Sequence, residues 1–212
     1  IAQAGTGTEQ IGRFDIVVDE ETNSIIEWKW ELVPINDVTS EIDTDLEDFI
    51  NNYKDAVDEK YNVIITHFTD KLTHQGREEE TTLGNMIADA LAEVSETEVI
   101  LIGSGSIRGG SLGPVVTLGE FRACYPYDDS LTRYFISGKN LRKVFSHIMR
   151  KENRNGEGEC YQVNKRIEAV YSDSQAKLLS LKVDEIPVQD NQKYTITLQG
   201  YHVANSKGNL GI

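Results

Sequence analysis

Hydrophobic and polar positions change period several times along the chain, and each change predicts an element. Residues 11–33 alternate, as in Arg13-Phe-Asp-Ile-Val-Val-Asp19 and Ile25-Ile-Glu-Trp-Lys-Trp-Glu-Leu-Val33, with Glu20-Glu-Thr-Asn-Ser24 between them. A period of two predicts a β-hairpin or two sheet strands. Beyond Pro34 the period lengthens: Ile42, Leu46, Phe49, Ile50, Tyr53, Val57 and Tyr61 fall on one helical stripe among Asp and Glu. Thr39 to Tyr61 therefore reads as a long amphipathic helix with Thr39 or Ser40 near its N-cap. Val63 to Phe68 is β-rich, and Thr82 to Ser95 predicts a helix with Leu83, Met86, Ile87, Ala90, Leu91 and Val94 inward. Val99 to Ile102 is apolar throughout and predicts a buried strand. A short helix over 117–124, a strand over 131–136, a helix over 139–149 and strands near 161–163, 167–171, 178–183 and 194–199 follow.

Helices and strands mix without regular βαβ alternation. The predicted class is α+β (non-Rossmann α/β): a mixed β-sheet core flanked by helices, preceded by a β-hairpin and a long connector helix. The expected segments are 1–38, 39–62 and 63–212. With 212 residues and 39% apolar composition the chain can bury one sizeable core beside an extension. No apolar run approaches 18 residues, and Ile1-Ala-Gln-Ala-Gly-Thr-Gly7 has neither a basic nor an apolar export segment, so neither a membrane span nor an export signal is expected, and the compartment stays open.

Charge changes the picture further. Of the formal −14, residues 1–62 hold 4 Lys/Arg against 16 Asp/Glu, and residues 63–212 hold 17 against 19. An acidic extension on a near-neutral body argues against a nucleic-acid polymer as partner, while a small phosphate ligand needs only a few local arginines. Cys124 and Cys160 lack CxxC spacing, and His67, His74, His147 and His202 form no HxH or i,i+4 pair. Metal binding by this chain is not expected.

The run Ile100-Leu-Ile-Gly-Ser-Gly-Ser-Ile-Arg-Gly-Gly-Ser-Leu-Gly-Pro114 leads a strand into a small-residue turn that delivers Arg108. It reads either as a plain surface turn or as an anion site, with amide N–H groups crowding toward a phosphate and Arg108 closing on it. Gly109-Gly-Ser-Leu-Gly113 matches G-x-S-x-G, with Asp173, Asp184 and His202 downstream, but Pro114 to Thr117 reads as extended where a nucleophile elbow needs a helix. Tyr125-Pro-Tyr-Asp-Asp129 and Gly200-Tyr-His202 are aromatic turns that either pack at edges or sandwich a planar base. Arg77 reads as a solvated charge or a ligand contact, and Lys151 to Glu159 as a polar loop.

Taken in order, these segments resemble the C-terminal, substrate-binding domain of the 5′-nucleotidase family of metallophosphoesterases. The resemblance rests on Glu80-Thr-Thr-Leu-Gly-Asn-Met86 with Ala88-Asp-Ala90, on Gly103-Ser-Gly-Ser-Ile-Arg108 after a strand, and on Thr117-Leu-Gly-Glu-Phe121 with Pro126-Tyr127. It continues through Ser137-Gly-Lys-Asn-Leu141, Gly158-Glu-Cys-Tyr-Gln-Val163 and Tyr194 to Asn205, spanning about residues 63–212. It implies a nucleotide or related small phosphoester as ligand, and an upstream metallophosphatase domain as partner, holding two divalent metal ions and a catalytic Asp-His pair. No catalytic residue is implied in this chain.

Position by position, it implies Arg108 as a phosphate or ribose contact, Tyr127 as one base-stacking ring, Tyr201 or His202 as the other, and Arg77 as a second phosphate-proximal arginine. Gly103 stands where the family's base-contacting Asn usually sits, and Asn209 where its ribose-binding carboxylate is expected. These departures leave open a cyclic nucleotide or nucleotide sugar as substrate of the parent enzyme, or an interaction module that no longer recognises nucleotides. Gln3 to Phe14 resembles the last strands of the catalytic domain.

Overall fold

A computed structural model describes residues 2–5, 7, 9–36 and 38–211. Thr6 and Thr8 of the Gln3–Phe14 run, and the residues Ile1, Asp37 and Ile212 of the expected segments, lie outside the described residues. The chain divides into two units, Ile1–Asp58 and Glu59–Ile212.

In the first unit, β1 (Gln10–Asp19) and β2 (Ser24–Pro34) form an antiparallel hairpin with a register shift at Val17/Val18. Phe14 meets the edges of Trp28 and Trp30, with ring centroids 6.0 and 5.9 Å away. Gly12 is required beneath Trp30, since a Cβ there would lie 2.1 Å from the indole. Helix α1 (Thr44–Tyr61) keeps the expected apolar stripe but begins later than its periodicity suggests. Asp43, not Thr39 or Ser40, caps it, its carboxylate accepting from Leu46 N–H at 3.1 Å. Asn36 and Thr39 instead close a turn, in which Asn36 Oδ1 accepts from the amides of Val38 and Thr39. No residue of α1 is buried.

The second unit is organised around a four-stranded mixed sheet. Its elements in chain order are β3 (Ile64–His67), β4 (Leu72–Thr73), α2 (Thr82–Val94), β5 (Val99–Gly103), β6 (Ser111–Leu112), β7 (Val115–Thr117) and α3 (Leu118–Cys124). There follow β8 (Leu131–Ser137), α4 (Gly138–Ile148), β9 (Tyr161–Val163), β10 (Ile167–Ser172), β11 (Lys177–Val183), β12 (Ile186–Pro187), β13 (Lys193–Gln199), α5 (Gly200–Ala204) and α6 (Ser206–Asn209). The central sheet runs β8-β13-β5-β9, beside a three-stranded β10-β11-β12 sheet and the pairs β3-β7 and β4-β6.

Every residue of β5 is buried, and its alternation serves two cores. Val99 and Leu101 join Leu141, Val144 and Phe145 of α4 on one face, with Leu181 and Val183 of β11. Ile100 and Ile102 meet Ala88 and Ala92 of α2 on the other. Full burial of each large aliphatic side chain contributes about 1.5–3 kcal/mol, so this apolar strand anchors both layers. The inner face of α2 is Leu83, Gly84, Ile87, Ala88 and Ala92, while Val94 points to solvent, unlike the expected stripe. Gly84 accounts for the rotation, because it lets the buried Gln162 side chain lie against the helix. Ser111 sits in a two-residue strand followed by another strand, so the strand, turn and helix of a nucleophile elbow are absent around it among the described residues.

Candidate functional site

Sheet topology brings distant segments to one edge. Strands β5 and β13 are parallel neighbours, so the turn after Gly103 and the helix after Gln199 emerge side by side. Strand β8 is antiparallel to β13 with Leu131 opposite Gln199, and β9 is antiparallel to β5 with Tyr161 opposite Gly103. The segments preceding β8 and β9 therefore arrive at the same edge. Together these four segments, with Arg77, surround a pocket of about 570 Å³, within the range of small-molecule sites.

Five of the residues singled out by the resemblance line this pocket: Arg77, Arg108, Tyr127, Tyr201 and its alternative His202. The Arg108 guanidinium lies over the Tyr127 ring, 5.3 Å from its centroid, and its Nε donates to the Tyr127 hydroxyl at 2.8 Å, with Nη2 donating to the same oxygen. Among the described residues neither Arg77 nor Arg108 forms an ion pair, whereas most ion-paired arginines elsewhere have a carboxylate within 3.2 Å. The two tyrosines remain accessible, Tyr127 at 40% and Tyr201 at 59% exposure.

His202 is placed differently from its neighbour. It is 1% exposed; its Nε2 accepts from Gly103 N–H at 3.2 Å, which leaves the proton on Nδ1, 3.1 Å from the Tyr161 hydroxyl. Burial holds its pKa below the usual histidine value, against a smaller opposing pull from Glu159 and Asp129. Burial also pushes the Tyr161 hydroxyl upward.

Gly103 and Asn209 do not line the pocket. Gly103 is sealed at the strand end, where a Cβ would meet His202 at 2.4 Å and Glu159 Oε1 at 2.6 Å. Asn209 acts instead on the Tyr161 hydroxyl, drawing its pKa down against the larger effect of burial. Several N–H groups of the glycine-rich turn are used within the chain and do not crowd toward a ligand. Gly103 donates to His202, Ser104 to Cys160 O, Gly105 to Glu159 Oε1, and Arg108 to Cys124 O. What the turn offers a ligand is the Arg108 guanidinium, together with Gly105 and Ser106, which also line the pocket.

The turn is fastened from behind by a residue that periodicity does not single out. His74 is buried, its Nε2 donating to Ser104 O at 3.1 Å and its Nδ1 facing the Thr81 hydroxyl at 2.8 Å; burial lowers its pKa. Gln162 reinforces the arrangement, donating to Ser104 Oγ and Glu79 O and accepting from Thr81 N–H. Two further pocket residues, Asp129 and Glu159, carry no such signal in the sequence. Glu159 belongs to a stretch that reads as a polar loop, and only the pairing of Tyr161 with Gly103 draws it to the site.

Among the described residues no group of three or more His, Cys, Asp or Glu could hold a metal ion, so the residues present do not fit one. No helix among them is long and apolar enough to cross a membrane.

Fold and pocket define an α+β domain with a ligand-sized cleft at one sheet edge. Residues 59–211 match the family described as "5′-nucleotidase, C-terminal domain", and the chain belongs to that family. It is similar to a snake venom 5′-nucleotidase of Naja atra, 27% identical over 161 residues, covering 64% of this chain and 30% of that protein. The endonuclease YhcR of Bacillus subtilis is 25% identical over 147 residues, covering 69% and 12% respectively. In fold it resembles a 5′-nucleotidase precursor from Thermus thermophilus, with TM-score 0.67, 17% identity and coverage of 96% of this chain and 41% of that one. The NAD nucleotidase of Haemophilus influenzae aligns with TM-score 0.59 and 15% identity, over 91% and 39%. The chain thus spans about a third or less of these two curated relatives and about two-fifths of these two solved ones.

Proposed function

We propose that this chain is the substrate-recognition part of a two-domain, metal-dependent phosphoester hydrolase acting on nucleotides. The observation that carries this reading is the combination, in one pocket, of two guanidiniums without ion-pair partners among the described residues and two accessible tyrosine rings. A planar base stacks between Tyr127 and Tyr201, each such contact worth about 1–3 kcal/mol. The phosphate lies against Arg108 and Arg77, where charge-assisted hydrogen bonds of about 1.5–3 kcal/mol replace water. Tyr127 serves both ends, as a stacking face and as the acceptor that orients Arg108. The relatives named as a 5′-nucleotidase and an NAD nucleotidase favour nucleotides over other phosphoesters.

On this reading the chain binds, positions and partly desolvates the ligand. The two divalent ions belong to a separate upstream domain and supply Lewis-acid chemistry there. The 212-residue chain binds nucleotide without hydrolysing it. Calorimetric titration with nucleoside monophosphates tests the assignment: Arg108→Ala and Tyr201→Ala each weaken binding by about ten- to a hundredfold. Binding unchanged in both variants removes the pocket from substrate recognition.

A further inference from the structure

Stacking on two tyrosines does not distinguish one base from another; the groups facing the ring's edge do. The remaining side chains of the pocket are unusual for a phosphate site in a strongly acidic chain, because two of them are carboxylates, Asp129 and Glu159. Asp129 lies on the Tyr201 side, and Glu159 reaches from His202 to the glycine turn, where a Cβ on Gly105 would meet its oxygens at 3.5 and 3.7 Å and Arg77 Nη1 at 3.8 Å. Asp129 follows Tyr127 by two residues, and its Cβ is 3.7 Å from where a Cβ on Gly200 would stand, immediately before Tyr201. Glu159 packs against His202, whose ring is 5.2 Å from that of Tyr201.

Neither carboxylate is neutralised by an ion pair among the described residues. Glu159 is fixed in place through Oε1, which accepts from Gly105 N–H at 3.0 Å; its Oε2 has no hydrogen-bond partner among them. Asp129 makes no side-chain hydrogen bond among them. His202 adds nothing at this end of the pocket, since both its nitrogens are engaged. The cleft therefore carries cationic donors on Arg77 and Arg108 and acceptor-only groups on Asp129 and Glu159, Asp129 standing beside the second tyrosine and Glu159 between His202 and Arg77.

We infer that Asp129 and Glu159 set base specificity and make guanine the preferred base, an inference that rests on the nucleotide reading above. Guanine presents two adjacent donors, N1–H and the 2-amino group, which match the two oxygens of a carboxylate. Adenine presents N1 as an acceptor beside its 6-amino group, so one lone pair faces the carboxylate unpaired. A site built of acceptors rejects the edge that cannot donate, because desolvated polar groups are then left without partners. Hypoxanthine keeps N1–H and lacks the 2-amino group, which places it between the two.

Equilibrium titration of the 212-residue chain with GMP, IMP and AMP tests this without any substitution. The expected order is GMP, then IMP, then AMP, with GMP at least about tenfold tighter than AMP. Asp129→Asn, on a segment where the side chain makes no hydrogen bond among the described residues, and Glu159→Gln, which can still accept from Gly105, should each narrow the gap. Their combination should bring the ratio below about threefold. AMP binding as tightly as GMP, or a preference that survives the double substitution, overturns the inference while leaving the nucleotide site standing. Absence of binding by all three nucleotides overturns both.

Discussion

At the residue scale, the site depends on buried histidines that hold backbone rather than ligand. His74 fixes the carbonyl of Ser104 and His202 fixes the amide of Gly103, so the two imidazoles brace the start of the same turn. Burial lowers both pKa values from 6.5. A histidine kept neutral by the fold takes up its proton more readily when unfolded, so its contribution is complete above pH 6.5 and declines as pH falls below it toward the folded value. Stability should therefore drop as pH is lowered from about 6.5, by at most about 1.4 kcal/mol per pH unit for each imidazole. His202→Gln, which can still accept from Gly103, should flatten that slope when Tm is followed across the range. A Tm independent of pH, or an unchanged slope in the variant, contradicts the assignment. These roles leave no trace in the sequence: an isolated histidine carries no spacing to interpret, and its partners lie 30 and 99 positions away.

At the element scale, two of the motifs that carry the family resemblance prove to be halves of one contact. Thr81 and Gly84 belong to the first and Gln162 to the second, and Gln162 inserts between the start of α2 and the turn after β5. Gly84→Ala sets two effects against each other. Alanine gains about 1 kcal/mol of helix propensity, but its Cβ would lie 2.1 Å from Gln162 Oε1 and 2.5 Å from Cγ. Gln162 is wholly buried and hydrogen-bonds Thr81, Glu79 and Ser104, so displacing it costs about 1–3 kcal/mol in packing and as much again if its polar groups lose those partners. The clash wins, and Tm should fall by several degrees in thermal denaturation; a variant at least as stable as the parent would show that Gln162 is not wedged there. Periodicity places α2, α3, α4 and β5 within a residue or so because each has a clean stripe or apolar run. It misplaces the start of α1, where an Asp cap outcompetes two earlier candidates, and the inward face of α2, where a glycine rather than a large side chain marks the contact.

At the scale of the whole molecule, the proposed recognition surface is a consequence of strand order. Two parallel strands and two antiparallel neighbours place the segments after β5 and β13 and before β8 and β9 at a single edge. Arg108, Tyr127 and Tyr201 are legible because the ordered motifs imply a ligand contact at each; Asp129 and Glu159 stand in runs of the sequence that imply none for them, and their place at the pocket is created only by pairings between segments far apart in the chain. The central claim, that this edge receives a nucleotide, is tested most directly by amide chemical shifts of the isotopically labelled 212-residue chain during titration with GMP. The account predicts saturable changes concentrated in residues 103–108, 125–131, 157–161 and 199–205, together with Arg77. Saturable changes centred elsewhere, or none at millimolar nucleotide, would contradict it.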